Sequence, residues 1–113
     1  MIRETNDKTF GRDVLTAPGF TIVDFWEPAS GMSGVQGPIL ERFADEHPDV
    51  RVLKVNAQNN PQLRGAFKVE RVPALLVFKD GQPLVGGTGV HHSYAIERLL
   101  GAARFRADRI PQA

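Results

Sequence analysis

The sequence contains no cysteine. Structural disulfides, thiolate metal sites, iron–sulfur clusters and cysteine nucleophiles are therefore excluded. An excess of charge of one sign is also absent, because 14 Lys and Arg against 13 Asp and Glu leave a net charge of +1. That charge is too small to hold nucleic acid or an anionic membrane through a general electrostatic field. No apolar run reaches the roughly 18–20 residues of a membrane helix, and the first ten residues lack a signal-peptide pattern, so we expect a cytoplasmic protein.

The length of the chain suits one domain. It has 113 residues, 42% of them apolar, and a second hydrophobic core would need a longer chain. We expect the domain to span residues 1–105. Residues 106–113 carry arginines and a proline with little apolar pattern, which predicts a flexible C-terminal tail.

Strand-like and helix-like patterns alternate along the chain. The predicted strands, rich in β-branched and aromatic residues, are 20–26, 51–56 and 74–78. The predicted helices are 8–15, 38–46, 61–67 and one that begins at a capping Ser93, and Asp80-Gly81 predicts a hairpin leading to 83–85. Because strands separated by helices form parallel crossovers and the hairpin adds an antiparallel pair, we expect an α/β fold, a mixed central sheet with helices on both faces.

An ordered set of short segments carries a resemblance to a known family. Asp24-Phe25-Trp26 ends the first long strand, and Pro38 follows Trp26 by twelve residues. Lys54-Val55-Asn56, Val72-Pro73 and the glycine loop Gly89-Val90 come after it in order. From about residue 10 to residue 100 this set resembles thioredoxin. The resemblance implies the thioredoxin fold and a cis peptide bond before Pro73.

The redox-active centre of that disulfide oxidoreductase family is missing. Where thioredoxins carry Trp-Cys-Gly-Pro-Cys, this chain has Ala29, Ser30, Gly31, Met32 and Ser33. Thiol–disulfide exchange needs a thiolate that attacks sulfur, and a serine hydroxyl forms no such disulfide. With serine at both positions, the chain is not a dithiol oxidoreductase. The family has that activity, and so would any parent protein that carries the two cysteines.

Four positions correspond to the family's catalytic residues. Ser30 and Ser33 stand where a helix should begin, and with no histidine near them along the chain we expect capping rather than nucleophilic catalysis. The resemblance gives Asp24 the place of the acid that assists proton transfer to the buried cysteine, with Lys54 close by. Burial should raise the pKa of Asp24. Because the chain has no thiol for this acid to act on, we favour the interpretation that Asp24 and Lys54 are a remnant pair without a present role.

The resemblance also implies a peptide-binding groove. With a cis bond before Pro73, Val72 would expose a carbonyl and an N–H at a strand edge, where an extended segment of another protein can pair. The residues implied for this groove are Trp26, Ala29, Gly31, Met32, Val72, Pro73, Gly89 and Val90. The alternative of equal weight is that these residues only complete the end of the fold.

Three functions remain open. The first is a thioredoxin-like protein without the redox pair that binds peptides noncovalently or acts like a chaperone. The second is a Cys-to-Ser active-site variant of a working thioredoxin, whose cysteine-bearing form reduces protein disulfides with a thioredoxin reductase and NADPH. The third is a glutathione-binding relative in which Ser30 would hydrogen-bond the thiolate. We favour the first, because removal of thiols alone would not require the further departures at Ala29, Met32, Gly34 and Gln36.

Two adjacent histidines, His91 and His92, do not predict a metal site. Neighbouring side chains diverge, and without cysteine and with His47 remote a tetrahedral set lacks ligands. We expect these histidines to form a solvated approach to the last helix. The sequence predicts no metal and no cofactor.

Overall fold

A five-stranded mixed sheet forms the centre of the computed structural model, which describes residues 2–110. The strands are β1 (Arg3–Glu4), β2 (Phe20–Trp26), β3 (Arg51–Asn56), β4 (Ala74–Lys79) and β5 (Gln82–Thr88). Their order in the sheet is β1-β3-β2-β4-β5. The β1–β3 and β3–β2 pairs are parallel, whereas β2–β4 and β4–β5 are antiparallel. The mixed sheet and the hairpin predicted from Asp80-Gly81 are confirmed.

Helices cover both faces of this sheet. They are α1 (Gly31–Glu46), α2 (Pro61–Ala66) and α3 (Ser93–Ala107), with a short π-helical segment at Gly11–Leu15. None of the helices within residues 2–110 is long and apolar enough to cross a membrane. The predicted α/β class is confirmed.

Alternate side chains of β2 pack into two hydrophobic cores, one on each face of the sheet. Ile22 packs with Leu40 and Phe43 of α1 on one face, whereas Val23 and Phe25 join the cluster on the other. All five side chains are almost completely buried. This arrangement explains why the sequence of β2 is a nearly continuous apolar run, because a strand covered on both faces has no solvent-exposed face.

Three local predictions need correction. The apolar pattern placed the helix only from Pro38, but α1 begins at Gly31, as the expected helix start at Ser30 and Ser33 implied, so Pro38 lies inside the helix. Ser93 is the first residue of α3 and does not cap it; the capping position is His92, which makes no side-chain cap bond. Strand β1 was missed, because two exposed residues carry no periodic pattern.

The last described residues remain packed on the domain. Helix α3 runs to Ala107, two residues beyond the predicted boundary, and Ile110 contacts the hydrophobic core. Residues 111–113 of the predicted tail lie outside the described residues. The tail itself stays a prediction.

Candidate functional site

The two serines at the start of α1 make structural hydrogen bonds. Ser30 has extended backbone angles, and its Oγ accepts the N–H of Ser33 at 3.1 Å. The buried Ser33 in turn accepts the N–H of Glu27 on its own Oγ at 3.3 Å. Among the hydrogen bonds of residues 2–110, none joins either hydroxyl to a histidine. The capping prediction for Ser30 is confirmed, and no histidine of the described residues is hydrogen-bonded to either hydroxyl as a general base would be.

Asp24 lies on β2 opposite Lys54 of β3. The side chain of Asp24 is buried, and its Oδ1 has no hydrogen-bond partner within the described part of the chain. Burial raises the pKa of this carboxyl to about 7, against the opposing effect of the positive charge on Lys54. The Lys54 ammonium instead lies 5.5 Å from the centre of the Trp26 ring. The raised pKa expected from the sequence is confirmed, but the two groups form no ion pair within 4 Å.

The segments implied in peptide binding meet at one end of the sheet. Phe25 of β2 pairs with Ala74 of β4, and Ala74 pairs with Thr88 of β5. Because β4 is antiparallel to both neighbours, the end of β2, the residues before β4 and the residues after β5 lie side by side. The bond between the Gly89 N–H and the Pro73 carbonyl, 2.8 Å long, joins two of these segments directly.

Val72 lies just before β4 at this end of the sheet. The Val72–Pro73 peptide bond is cis, as the resemblance implied. Val72 is half-buried, and β4 begins two residues later at Ala74. The backbone hydrogen bonds found among residues 2–110 include none to the N–H or the carbonyl of Val72.

The other predicted residues of the groove differ in exposure. Met32 is open to solvent, with 57% of its surface exposed. Ala29, Gly31 and Gly89 are also exposed, whereas Trp26 and Val90 are half-buried and Pro73 is buried. The indole Nε1 of Trp26 is buried and lacks a partner within the described residues. The end of the sheet thus combines apolar side chains with a backbone segment at Val72 that makes no backbone hydrogen bond within the described residues.

The sequence analysis missed the side chains that hold this end together. Gln36 stood out only as a polar residue in a stretch that is normally apolar, and Arg64 and Glu27 gave no signal. The Gln36 amide is fully buried and bonds the backbone of His91 twice. The Arg64 guanidinium contacts the Glu27 carboxylate.

The prediction for the two histidines needs correction. His92 is exposed, as expected, but His91 is half-buried. The Nδ1 of His91 lies 2.9 Å from the carbonyl oxygen of Gly89, and its ring packs over Gly87, where a Cβ atom would come within 2.6 Å of Nε2. His91 is therefore part of the loop's packing.

Comparison with known proteins agrees with this fold. The family model described as Thioredoxin matches residues 1–102. The thioredoxin of Mycobacterium tuberculosis is 37% identical over 98 residues, which cover 86% of this chain and 84% of that protein. Thioredoxin 1 of Synechococcus elongatus is 36% identical over 77 residues, 67% of this chain and 72% of its own, and the thioredoxin of Rhodospirillum rubrum is 39% identical over 82 residues, 72% and 79%. The chain belongs to the thioredoxin family, and it does so without the cysteines.

Proposed function

We propose that this chain binds extended segments of other proteins noncovalently, as a peptide-binding or chaperone-like member of its family. The observation that carries the proposal is the backbone of Val72, whose N–H and carbonyl have no partner among the described residues. Pairing with an added strand would satisfy both groups, and main-chain bonds of this kind bind peptides without regard to their sequence.

The surroundings of Val72 support the proposal. Exposed Met32 and Ala29 and half-buried Val90 offer apolar contacts. A groove of about 580 Å³ also lies next to this end of the sheet. Its lining consists of residues 67–71, 74–76 and 86–88, which flank Val72-Pro73 on both sides. A peptide paired at Val72 would have room to continue along this groove.

The reaction of the family cannot proceed on the two serines. Neither hydroxyl can form the mixed disulfide through which thiol–disulfide exchange passes, and both oxygens accept structural hydrogen bonds. Interaction with a thioredoxin reductase therefore belongs to the alternative below. The cytoplasmic location stays a prediction from the sequence.

Peptide binding is tested with disulfide-free probes. We would titrate the isolated insulin B chain with carboxamidomethylated cysteines, and carboxamidomethylated unfolded ribonuclease, into the protein and follow its backbone amide shifts. Saturable shifts at residues 29–32, 72 and 89–90 are expected. No saturable binding of either probe below about 1 mM, or shifts confined to another surface, would overturn the proposal.

A matched pair of variants tests the surface. Met32 and Phe105 are both 57% exposed, but Phe105 lies on α3 outside the proposed site. Met32→Asp should weaken binding of the insulin B chain about tenfold, a loss of about 1.4 kcal/mol. Phe105→Asp should leave it unchanged. Equal effects of the two substitutions would contradict the assigned surface.

A Cys-to-Ser variant of a working thioredoxin is the second candidate. It is favoured by Asp24, whose pKa of about 7 suits the proton transfer that the family resemblance assigns to it. The test is the double variant S30C/S33C, assayed for reduction of insulin by dithiothreitol with S30A/S33A as control. Rates equal to those of a thioredoxin with both cysteines would favour the second candidate. Rates close to the S30A/S33A control are expected if the redox function was lost.

A further inference from the structure

Three chain segments form the end of the sheet where peptide binding is proposed. They are residues 27–32, at and before the start of α1, residues 69–73 before β4, and residues 89–91 after β5. Two polar side chains from outside the proposed binding surface, Gln36 and Arg64, connect these segments.

Gln36 holds the loop after β5 against α1. Its Nε2 donates to the carbonyl of His91 at 2.9 Å, and its Oε1 accepts the His91 N–H at 2.6 Å. The side chain is fully buried, and a buried amide is tolerated only where its hydrogen bonds are made. Because both bonds go to the backbone of one residue, they fix the position of His91 relative to α1.

Two more contacts connect the 89–91 loop to the segment before β4. His91 Nδ1 lies 2.9 Å from the carbonyl oxygen of Gly89, and the Gly89 N–H donates to the Pro73 carbonyl at 2.8 Å. A continuous path of hydrogen bonds therefore runs from Gln36 to the residue that follows Val72.

Arg64, on α2, binds the segment 69–73 that precedes β4. Its Nε donates to the Val69 carbonyl at 3.0 Å and its Nη2 to the Glu70 carbonyl at 3.2 Å. The third nitrogen, Nη1, donates to the carboxylate of Glu27, three residues before Ser30. The planar guanidinium serves all three acceptors at once, which a lysine ammonium on a flexible stem does not reproduce.

We infer that Gln36 and Arg64 are positioning residues for peptide binding, which hold the Val72 backbone, the first turn of α1 and the 89–91 loop in fixed relative positions before a peptide arrives. This inference rests on the proposed function. A preformed site avoids the entropy cost of ordering loops during binding, so loss of either side chain should weaken binding without unfolding the domain.

The test uses Gln36→Leu and Arg64→Met, with Gln62→Leu on the exposed side of α2 as control. Amide hydrogen exchange, thermal unfolding and the Kd for the carboxamidomethylated insulin B chain would be measured for each. In Gln36→Leu the amides of Gly89 and His91 should exchange at least about tenfold faster, at unchanged rates for the amides of β2. The Kd should rise about fivefold or more in both variants. Arg64→Lys should fall between Arg64→Met and the wild type.

The outcomes separate this inference from the proposed function. If the wild type fails to bind the probe, the proposed function fails and this inference with it. If the wild type binds and both variants bind equally well, only the positioning roles are overturned. A uniform rise in exchange with a lower Tm and an unchanged Kd would show a merely structural role. Arg64 is partly exposed, so Arg64→Met keeps the inference testable should Gln36→Leu not fold.

Discussion

Asp24 and Lys54 occupy paired positions on the adjacent strands β2 and β3, yet the Asp24 carboxyl is buried and forms no ion pair among residues 2–110. Desolvation outweighs the attraction of Lys54 and raises the pKa of Asp24 from 3.8 to about 7. Between these two values the folded protein binds more protons at Asp24 than the unfolded chain does. The contribution of Asp24 to stability must therefore fall as the pH rises from about 4 to about 7.

Asp24→Asn should remove this pH dependence. The variant should gain stability relative to the wild type as the pH rises through that window, by an upper limit of about 4 kcal/mol at pH 8. The measurement is urea unfolding of both proteins from pH 4 to pH 8, with the exposed Asp45→Asn as control. A stability difference between Asp24→Asn and wild type that does not change with pH would show that Asp24 ionises normally in the fold.

Ser30→Ala should destabilise the protein, because the Ser30 hydroxyl caps α1 by accepting the Ser33 N–H. The expected loss in the free energy of unfolding is about 1 kcal/mol. Ser93→Ala is the matched control, since Ser93 is the first residue of α3 and His92, not Ser93, occupies its capping position. It should change stability by less than about 0.5 kcal/mol. Equal losses in the two variants, measured by urea unfolding, would contradict the distinction.

The sequence correctly predicted those strands and helices whose conformation and burial depend on their own residues. The strand Arg51–Asn56 was placed correctly because its buried positions lie within the strand itself. The role of Gln36 could not be predicted, because its partner His91 lies 55 residues away and is brought near only by the tertiary fold. The same limit applied to Glu27 and Arg64, 37 residues apart. Of the candidate site, the family motif located the segments, whereas their mutual contacts required the structure.

Asp7→Ala should destabilise α2, because Asp7 caps this helix from the N-terminal segment. Its Oδ1 accepts the N–H of Leu63 at 2.9 Å and its Oδ2 that of Gln62 at 3.3 Å. Asn60, at the capping position, instead uses its side chain to bond the Asp7 N–H and the Asn56 carbonyl. We expect a loss of about 1–2 kcal/mol in the free energy of unfolding.

Two further variants test this assignment. Asp7→Asn retains an acceptor oxygen and should lose less stability than Asp7→Ala. Asn59→Ala, at an exposed neighbouring position, should lose little. An Asp7→Ala protein as stable as Asn59→Ala in urea unfolding would show that the cap contributes nothing.

Gly81→Ala and Gly19→Ala should separate steric crowding from backbone conformation. Both glycines have positive φ, +82° at Gly81 and +79° at Gly19. A Cβ at Gly81 would collide with the backbone carbonyl of Leu15, whereas one at Gly19 would meet nothing within 4 Å. Gly19→Ala should therefore cost about 1–2 kcal/mol for the left-handed backbone alone, and Gly81→Ala about 1–3 kcal/mol more, because the Leu15 segment must move. Urea unfolding gives both values, and a Gly81→Ala protein no less stable than Gly19→Ala would show that the hairpin turn does not pack against Leu15.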